Sequence, residues 1–296
     1  MPELAEVEHS RRTWNPGLLY RIRDVLTKRQ TSRIYRDVDC DRLAEALKGQ
    51  QILSSEARGK QMLFTVSGGS WLGIHLGMRG ELRYEPEPFE PKKHDYLVLT
   101  LENAAALVFE DQRLFGRIRF HHGTTPPAWW AMLPPSLLSP EFTASAMGAF
   151  LKRRAGSPLK GLLLMQECFP GIGNWMADEI LWRARLDPAT RSRDLTPGQR
   201  ASLYRAVRWV CRTAVEVMDE DWQYPASWLF THRWEKGGAC PRCHTALDRA
   251  TIAGRTTAWC PACQPVQATA GSAVQSAKAT LLPIQSLRRK PADPVG

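Results

Sequence analysis

Gln61-Met62-Leu63-Phe64-Thr65-Val66, Ser67-Gly68-Gly69-Ser70 and Trp71-Leu72-Gly73-Ile74-His75-Leu76 read as two short apolar runs meeting at a glycine turn. Runs of this length bounded by Gly and Ser are strands, and so short a connection joins antiparallel neighbours. Tyr96-Leu101 and Ala106-Glu110, meeting around Glu102-Asn103, repeat the pattern. The region from Ile52 to Phe120 is therefore expected to form a β-sandwich. A helix precedes it, with Leu4, Val7, Arg11 and Trp14 on one face and a stop at Pro16-Gly17.

Downstream the punctuation changes. Five prolines between Gly123 and Pro140 mark a linker. Helical periodicity then runs through Glu141–Arg154, Pro158–Glu167, Asn174–Leu186 and Pro197–Val217. Thr196 and Gln199 form a capping box, with Pro197 at the first helical position. The expected class is α+β: a β-sandwich unit over 1–125, a linker over 126–139, a helical unit over 140–236 and a cysteine module over 237–265. The stretch 266–296, poor in large apolar residues and carrying Lys278, Arg288, Arg289 and Lys290, is expected to be a disordered basic tail.

The 296 residues carry 40 Lys and Arg against 30 Asp and Glu, a formal net charge of +10, and 43% are hydrophobic. That is enough apolar material for a buried core, which excludes wholesale disorder, and the positive excess points to a polyanionic partner. Unbroken aliphatic runs such as Leu162 to Met165 are far too short for a membrane span. Glu3, Glu6 and Glu8 stand where a secretory leader would be basic and then apolar, so a cytoplasmic protein is expected.

Three segments could carry chemistry. Cys240-Pro241-Arg242-Cys243 and Cys260-Pro261-Ala262-Cys263 are two C-x-x-C knuckles at zinc-ribbon spacing, and four thiolates suit one structural zinc ion with no open position. A redox dithiol or unligated thiols are the other reading. Arg255, between the knuckles in a hairpin-like stretch, suits a phosphate, or is simply solvated. In Phe169-Pro170-Gly171-Ile172-Gly173-Asn174 two glycines permit close backbone approach, and Asn174 is expected to cap a helix whose first N–H groups attract an anion such as phosphate. The same residues also make an ordinary helix start. Removal of Met1 would leave Pro2 with a free secondary amine able to attack an electrophilic carbon, with Glu3 beside it as proton donor or acceptor. A good first helical turn is the alternative.

Taken in order along the chain, these segments resemble the family of formamidopyrimidine-DNA glycosylases and endonuclease VIII, enzymes of base-excision repair. Pro2-Glu3-Leu4-Ala5-Glu6-Val7-Glu8 looks like its N-terminal signature. Gly59-Lys60, Ile74-His75-Leu76-Gly77-Met78, Lys93-His94-Asp95 and Asp111-Gln112-Arg113-Leu114-Phe115-Gly116 look like its β-domain motifs. Gly171-Ile172-Gly173-Asn174 looks like its helix-two-turn-helix loop, and the knuckles look like its zinc finger. Leu4 and Val7 favour the formamidopyrimidine branch.

The resemblance implies a bifunctional glycosylase and abasic-site lyase that removes oxidised or ring-opened purines. Pro2 would be the Schiff-base nucleophile, Glu3 the acid that assists sugar-ring opening and Glu6 its support. Lys60 would serve β-elimination, and Arg255 would grip phosphate during δ-elimination. Asn174 and Lys160 would clamp phosphates, and His94 would touch DNA. Met78, Arg113 and Phe115 would fill the gap left by the flipped nucleotide, thioether and ring as wedges and guanidinium reading the orphaned base. The implied partner is damaged double-stranded DNA bound by a monomer, with one zinc ion and no nucleotide cofactor. The alternatives are an endonuclease VIII-like enzyme acting on oxidised pyrimidines or mainly on abasic sites, and a damaged-DNA binder without chemistry. Three positions depart from the pattern. Ala5 and Leu114 replace a proline and a second arginine, and the segment Asp219 to Lys236 is short for the loop that covers oxidised guanine in some members.

Overall fold

The computed structural model describes residues 1–28, 33–86, 89–220, 223–234 and 237–266, without the side chains of 219 and 220. The expected tail, from 267 onward, lies outside the described residues, as do 221–222 and 235–236 of the short Asp219–Lys236 segment. Among the described residues no helix is long and apolar enough to cross a membrane.

The first unit is two four-stranded antiparallel sheets. One has the order β1(Ile22–Thr27), β6(Asp95–Leu101), β7(Ala106–Glu110), β5(Glu81–Glu85); the other has β2(Ile52–Arg58), β3(Gln61–Val66), β4(Ser70–His75), β8(Arg117–His122). Period-two side chains build the core between them: Met62, Phe64 and Val66 from β3, Leu72 and Ile74 from β4, Leu97, Leu99 and Leu101 from β6, Leu107 and Phe109 from β7. The 61–76 hairpin pairs as its sequence predicts, with Val66 opposite Ser70. Strand β1 and helix α2(Cys40–Leu47) precede the region read as β.

Within the linker, the short helix α3(Ala128–Ala131) and Leu133 cover the outer face of the β2–β3–β4–β8 sheet, while Leu137 is buried in the helical core. Trp130 is buried against Leu63 and Trp71, and its indole N–H donates to Glu56 at 3.0 Å. The guanidinium of Arg119 lies 4.8 Å from the centre of the Trp129 ring, over its face.

The second unit packs α4(Ala144–Arg153), α5(Leu159–Leu163), α6(Asn174–Ala184) and α7(Pro197–Glu220) around one core. The reciprocal Thr196–Gln199 bonds, 2.8 and 3.3 Å, form the capping box of α7. Helix α5 stops at Leu163, four residues short of the expected Glu167. There the Gln166 side chain donates to the carbonyls of Leu164 and Ile172, at 2.9 Å each, and accepts from Gly171 N–H at 3.0 Å. These bonds fold the chain into the loop that precedes α6 in place of a further helical turn. A hairpin of β9(Asp248–Ile252) and β10(Arg255–Trp259) with the cysteine knuckles then docks on α6 through Trp182, Leu229 and Leu247.

Helix α1(Leu4–Thr13) joins the units. Leu4 and Ala5 belong to the helical core, whereas Val7 and the fully buried Trp14 belong to the sandwich core. The start of the chain is thereby fixed at the seam.

Candidate active site

At the seam the N-termini of α1 and α6 face one another. Leu4 N–H donates to Gly171 carbonyl at 3.0 Å, and the Glu3 carboxylate accepts from the backbone N–H groups of Gly173 (2.8 Å), Trp175 (3.0 Å) and Met176 (3.1 Å). A helix start offers unsatisfied N–H groups and the positive end of its dipole, and here the anion is a side chain of the same protein. Gly173 makes room for it: a Cβ there would lie 2.3 Å from the Glu3 Cδ. The expected capping geometry is corrected accordingly. Gly173 is the N-cap and Asn174 the first helical residue, its amide donating to the Thr256 carbonyl on β10 at 2.9 Å.

Burial holds the Glu3 carboxyl up at about 7, reinforced by the neighbouring Glu6 charge and opposed by the N–H bonds and by Lys60. Glu6 accepts from Glu3 N–H (3.1 Å) and from the Trp175 indole N–H (2.9 Å), and burial raises its value too. Lys60, on the β2–β3 turn, is pushed below the usual lysine range by burial and by Arg255, against the pull of Glu3 and Glu6.

These groups open onto a cavity of about 620 Å³ lined by Glu3, Lys60, Met78, Asn174 and Arg255, with Met1 also on its wall. Its lining also includes His75, Arg233 and Trp234, which the sequence reading did not single out as site residues. His75 stands in the Ile74–Met78 string and is held toward its neutral form by burial and by Lys60 and Arg119. Its Nδ1 accepts Gly77 N–H at 3.0 Å, which leaves the proton on Nε2.

The other expected residues lie around this centre. Gly77 has φ +63, and a Cβ there would lie 2.3 Å from the Phe115 carbonyl carbon, so the turn bearing Met78 rests on the Arg113–Phe115 loop. Met78 and Phe115 are both exposed, and the Arg113 guanidinium lies 5.3 Å from the Phe115 ring centre, over its face. Asp111 shapes that loop by accepting from Arg113 N–H (2.9 Å) and Gly116 N–H (2.6 Å). Leu114, in left-handed backbone at φ +58, packs against the sandwich core. His94 stands off the cavity, its Nδ1 buried and unpaired among the described residues. Lys160, expected to clamp phosphate, is fully buried. Its ammonium is spent on Asp178 and on the Asn174 carbonyl (2.7 Å), so it braces the loop rather than offering a free cation.

Asp178 is the hub of that brace. Besides Lys160 it accepts from Arg233 Nε (3.1 Å) and Nη2 (2.6 Å) and from Ala258 N–H on β10 (3.1 Å). One buried carboxylate thus ties α5, the 223–234 segment and the hairpin of Arg255 to α6. The four cysteine sulfurs lie within 4.8 Å of one another, with Cys240–Cys263 at 3.9 Å, Cys243–Cys260 at 3.5 Å and Cys243–Cys263 at 3.4 Å. Tetrahedral ligands at about 2.3 Å from a zinc ion stand about 3.8 Å apart, so the donor set and spacing fit that ion.

The family model for the formamidopyrimidine-DNA glycosylase N-terminal domain matches residues 1–118, and the model for its H2TH domain, the helix-two-turn-helix, matches 133–224. Formamidopyrimidine-DNA glycosylases of Chloroflexus aurantiacus and Thermus thermophilus are 35% and 38% identical over 274 and 279 residues, spanning 89% of this chain and 98% of each relative. The crystal structure of the Fpg protein from Thermus thermophilus matches with a TM-score of 0.72 at 34% identity, over 89% of this chain and 98% of that one. A Lactococcus lactis Fpg in complex with abasic-site DNA shares the fold, with a TM-score of 0.77 at 24% identity over 89% and 100% of the two chains. With both family models matched and nearly the full length of these relatives covered, the chain belongs to the formamidopyrimidine-DNA glycosylase family.

Proposed function

We propose that this protein is a bifunctional DNA glycosylase and abasic-site lyase acting on oxidised or ring-opened purines in double-stranded DNA. The observation that carries the reading is the Glu3 carboxylate, fixed by three N–H donors at the start of α6 on a cavity that also holds Lys60 and Arg255. With Met1 removed, the Pro2 nitrogen attacks C1′ of the extruded nucleotide, and the glycosidic bond breaks with its electron pair leaving on the base, which takes up a proton. A carboxyl held near 7 carries a proton in much of the population at neutral pH, which suits Glu3 to protonate the ring oxygen as the sugar opens. The resulting C1′ iminium acidifies C2′. Loss of a C2′ proton expels the 3′ phosphate, and a second elimination expels the 5′ phosphate; water then releases Pro2. Lys60 serves the first elimination and Arg255 the second.

Met78, Arg113 and Phe115, on two touching loops, suit the gap left in the duplex. Asn174, bonded to β10, sets the finger hairpin beside α6, and His94 belongs to the wider DNA-contact surface. The four cysteines would hold one structural zinc ion, whose chemistry is to clamp the knuckles that present Arg255. A single chain supplies every group of this reading, which supports action as a monomer, in the compartment that holds the DNA.

Borohydride reduction of protein mixed with abasic-site duplex tests the reading. A covalent protein–DNA adduct is expected, and Pro2→Gly should diminish it. Absence of the adduct with Met1 confirmed missing would overturn the lyase assignment, and undiminished trapping by the variant would overturn that of Pro2.

A further inference from the structure

Trp234 has no part in the chemistry just described, yet it lines the same cavity as Glu3 and Lys60 with 54% of its surface exposed. A large exposed indole in a basic cavity calls for a ligand with an aromatic face. It is also held from three sides. The Arg233 guanidinium lies 4.5 Å from the ring centre, over one face, and is itself fixed by its two bonds to Asp178. Phe230 meets the ring edge-on at 5.4 Å between centroids, and the Trp234 carbonyl accepts from Arg249 Nη1 on β9 at 2.8 Å. Trp234 is thus held in position, with the Arg233 guanidinium over one ring face, Phe230 at its edge and about half of its surface exposed beside the cavity.

We propose that Trp234 is the platform on which the extruded base stacks, and that it selects planar lesions over ring-saturated ones. The inference rests on the glycosylase reading, since it requires a nucleotide turned out of the duplex. The cavity volume of about 620 Å³ lies within the range of small-molecule sites. An indole face attracts any flat conjugated ring and reads no hydrogen-bond pattern, so purines with an oxidised imidazole ring and ring-opened purines, whose pyrimidine ring stays flat, are held alike. A ring-saturated, puckered pyrimidine loses most of that contact.

The test uses the full chain and three matched duplexes that it cannot cleave: 2′-fluoro-8-oxoguanosine, 2′-fluoro-5,6-dihydrothymidine and a tetrahydrofuran abasic analogue. Dissociation constants are measured at one salt concentration for wild type, Trp234→Ala and Trp234→Phe, with thermal unfolding to check that each variant folds. The wild type should bind the planar lesion more tightly than the saturated one. Trp234→Ala should lose about tenfold on the planar lesion, and at least fivefold less on the other two, while Trp234→Phe should recover most of that loss. An equal loss on all three duplexes, no loss on any, or a wild type that does not prefer the planar base would each overturn the stacking proposal. Failure of the glycosylase reading shows separately, as intact binding of all three with no borohydride adduct; failure to bind any duplex overturns both.

Discussion

The backbone N–H of Trp175 donates to Glu3 Oε1 at 3.0 Å, while the indole of the same residue donates to Glu6 at 2.9 Å. One residue of the helical unit thereby fixes two acids of the N-terminal helix, and both acids are raised by burial. If Glu3 must donate a proton, strand cleavage should decline as pH rises through about 7, where the group loses that proton. Glu3→Gln should lower the single-turnover rate by about a hundredfold or more and remove that limb of the profile. A variant profile parallel to the wild type would assign the limb to another group.

Gly173→Ala puts a methyl group 2.3 Å from the Glu3 Cδ. Either Glu3 moves or α6 shifts, and overpacking of this kind costs about 1 to 3 kcal/mol. A fall in melting temperature of several degrees is expected, with a loss of cleavage at least tenfold beyond that of a control such as Gly148→Ala, where an added Cβ meets nothing within 4 Å.

The alternation of Met62, Phe64 and Val66 and the spacing of the four cysteines were legible because each is a local pattern, the first of a strand and the second of two knuckles that can share one ion. Strand β1 was not: Arg23 and Asp24 are exposed, and its pairing with β6 across some 75 residues gives it order. Helix α2 was marked by Asp39, which accepts from the N–H groups of Asp41 (3.0 Å) and Arg42 (3.2 Å), and by Leu43 and Leu47 one turn apart. The start of α6 was visible as an anion site, but not that Glu3, some 170 residues earlier, occupies it. Likewise a lysine reads as a free cation until Asp178 is found beside it, since burial of a charge pair is decided by packing and not by local sequence.

Buried carboxyls leave a signature in stability. Glu179 accepts from Arg183 Nε at 2.7 Å and from Phe230 N–H at 3.1 Å, yet burial raises it to about 7 from an ordinary 4.5. A folded-state value above the unfolded one means that the native state holds the extra proton. The stability linked to it is full below about 4.5 and is lost as pH rises through about 7. The melting temperature should therefore be higher at pH 5.5 than at pH 8, and Glu179→Gln should flatten that dependence. An unchanged slope would show that Glu179 titrates normally.

Zinc removal should act on DNA binding through the finger. The Trp182 indole donates to Cys240 Sγ at 3.3 Å, and Asn174 bonds Thr256 on the same module, so its loss reaches α6 directly. Freshly purified protein should contain about one zinc per chain, by the four-thiolate rule. Chelation should change tryptophan fluorescence and weaken duplex binding at least tenfold, whereas a metal content of zero with full binding would refute the assignment.

Arg255 and Lys60 should separate in their effects, because their surroundings differ. Lys60 is held below its usual range by burial, with Glu3 and Glu6 acting on it, whereas Arg255 begins a strand of the finger and is exposed. An exposed guanidinium that grips one phosphate contributes one released counterion. Arg255→Ala should therefore reduce the slope of log affinity against log salt by about 1. If it also serves the second elimination, the product of abasic-site cleavage should shift from the δ- to the β-eliminated end, while borohydride trapping persists. Lys60→Ala should instead slow both eliminations together. A Lys60 variant with normal product formation, or an Arg255 variant with an unaltered salt slope and product ratio, would remove that residue from the mechanism.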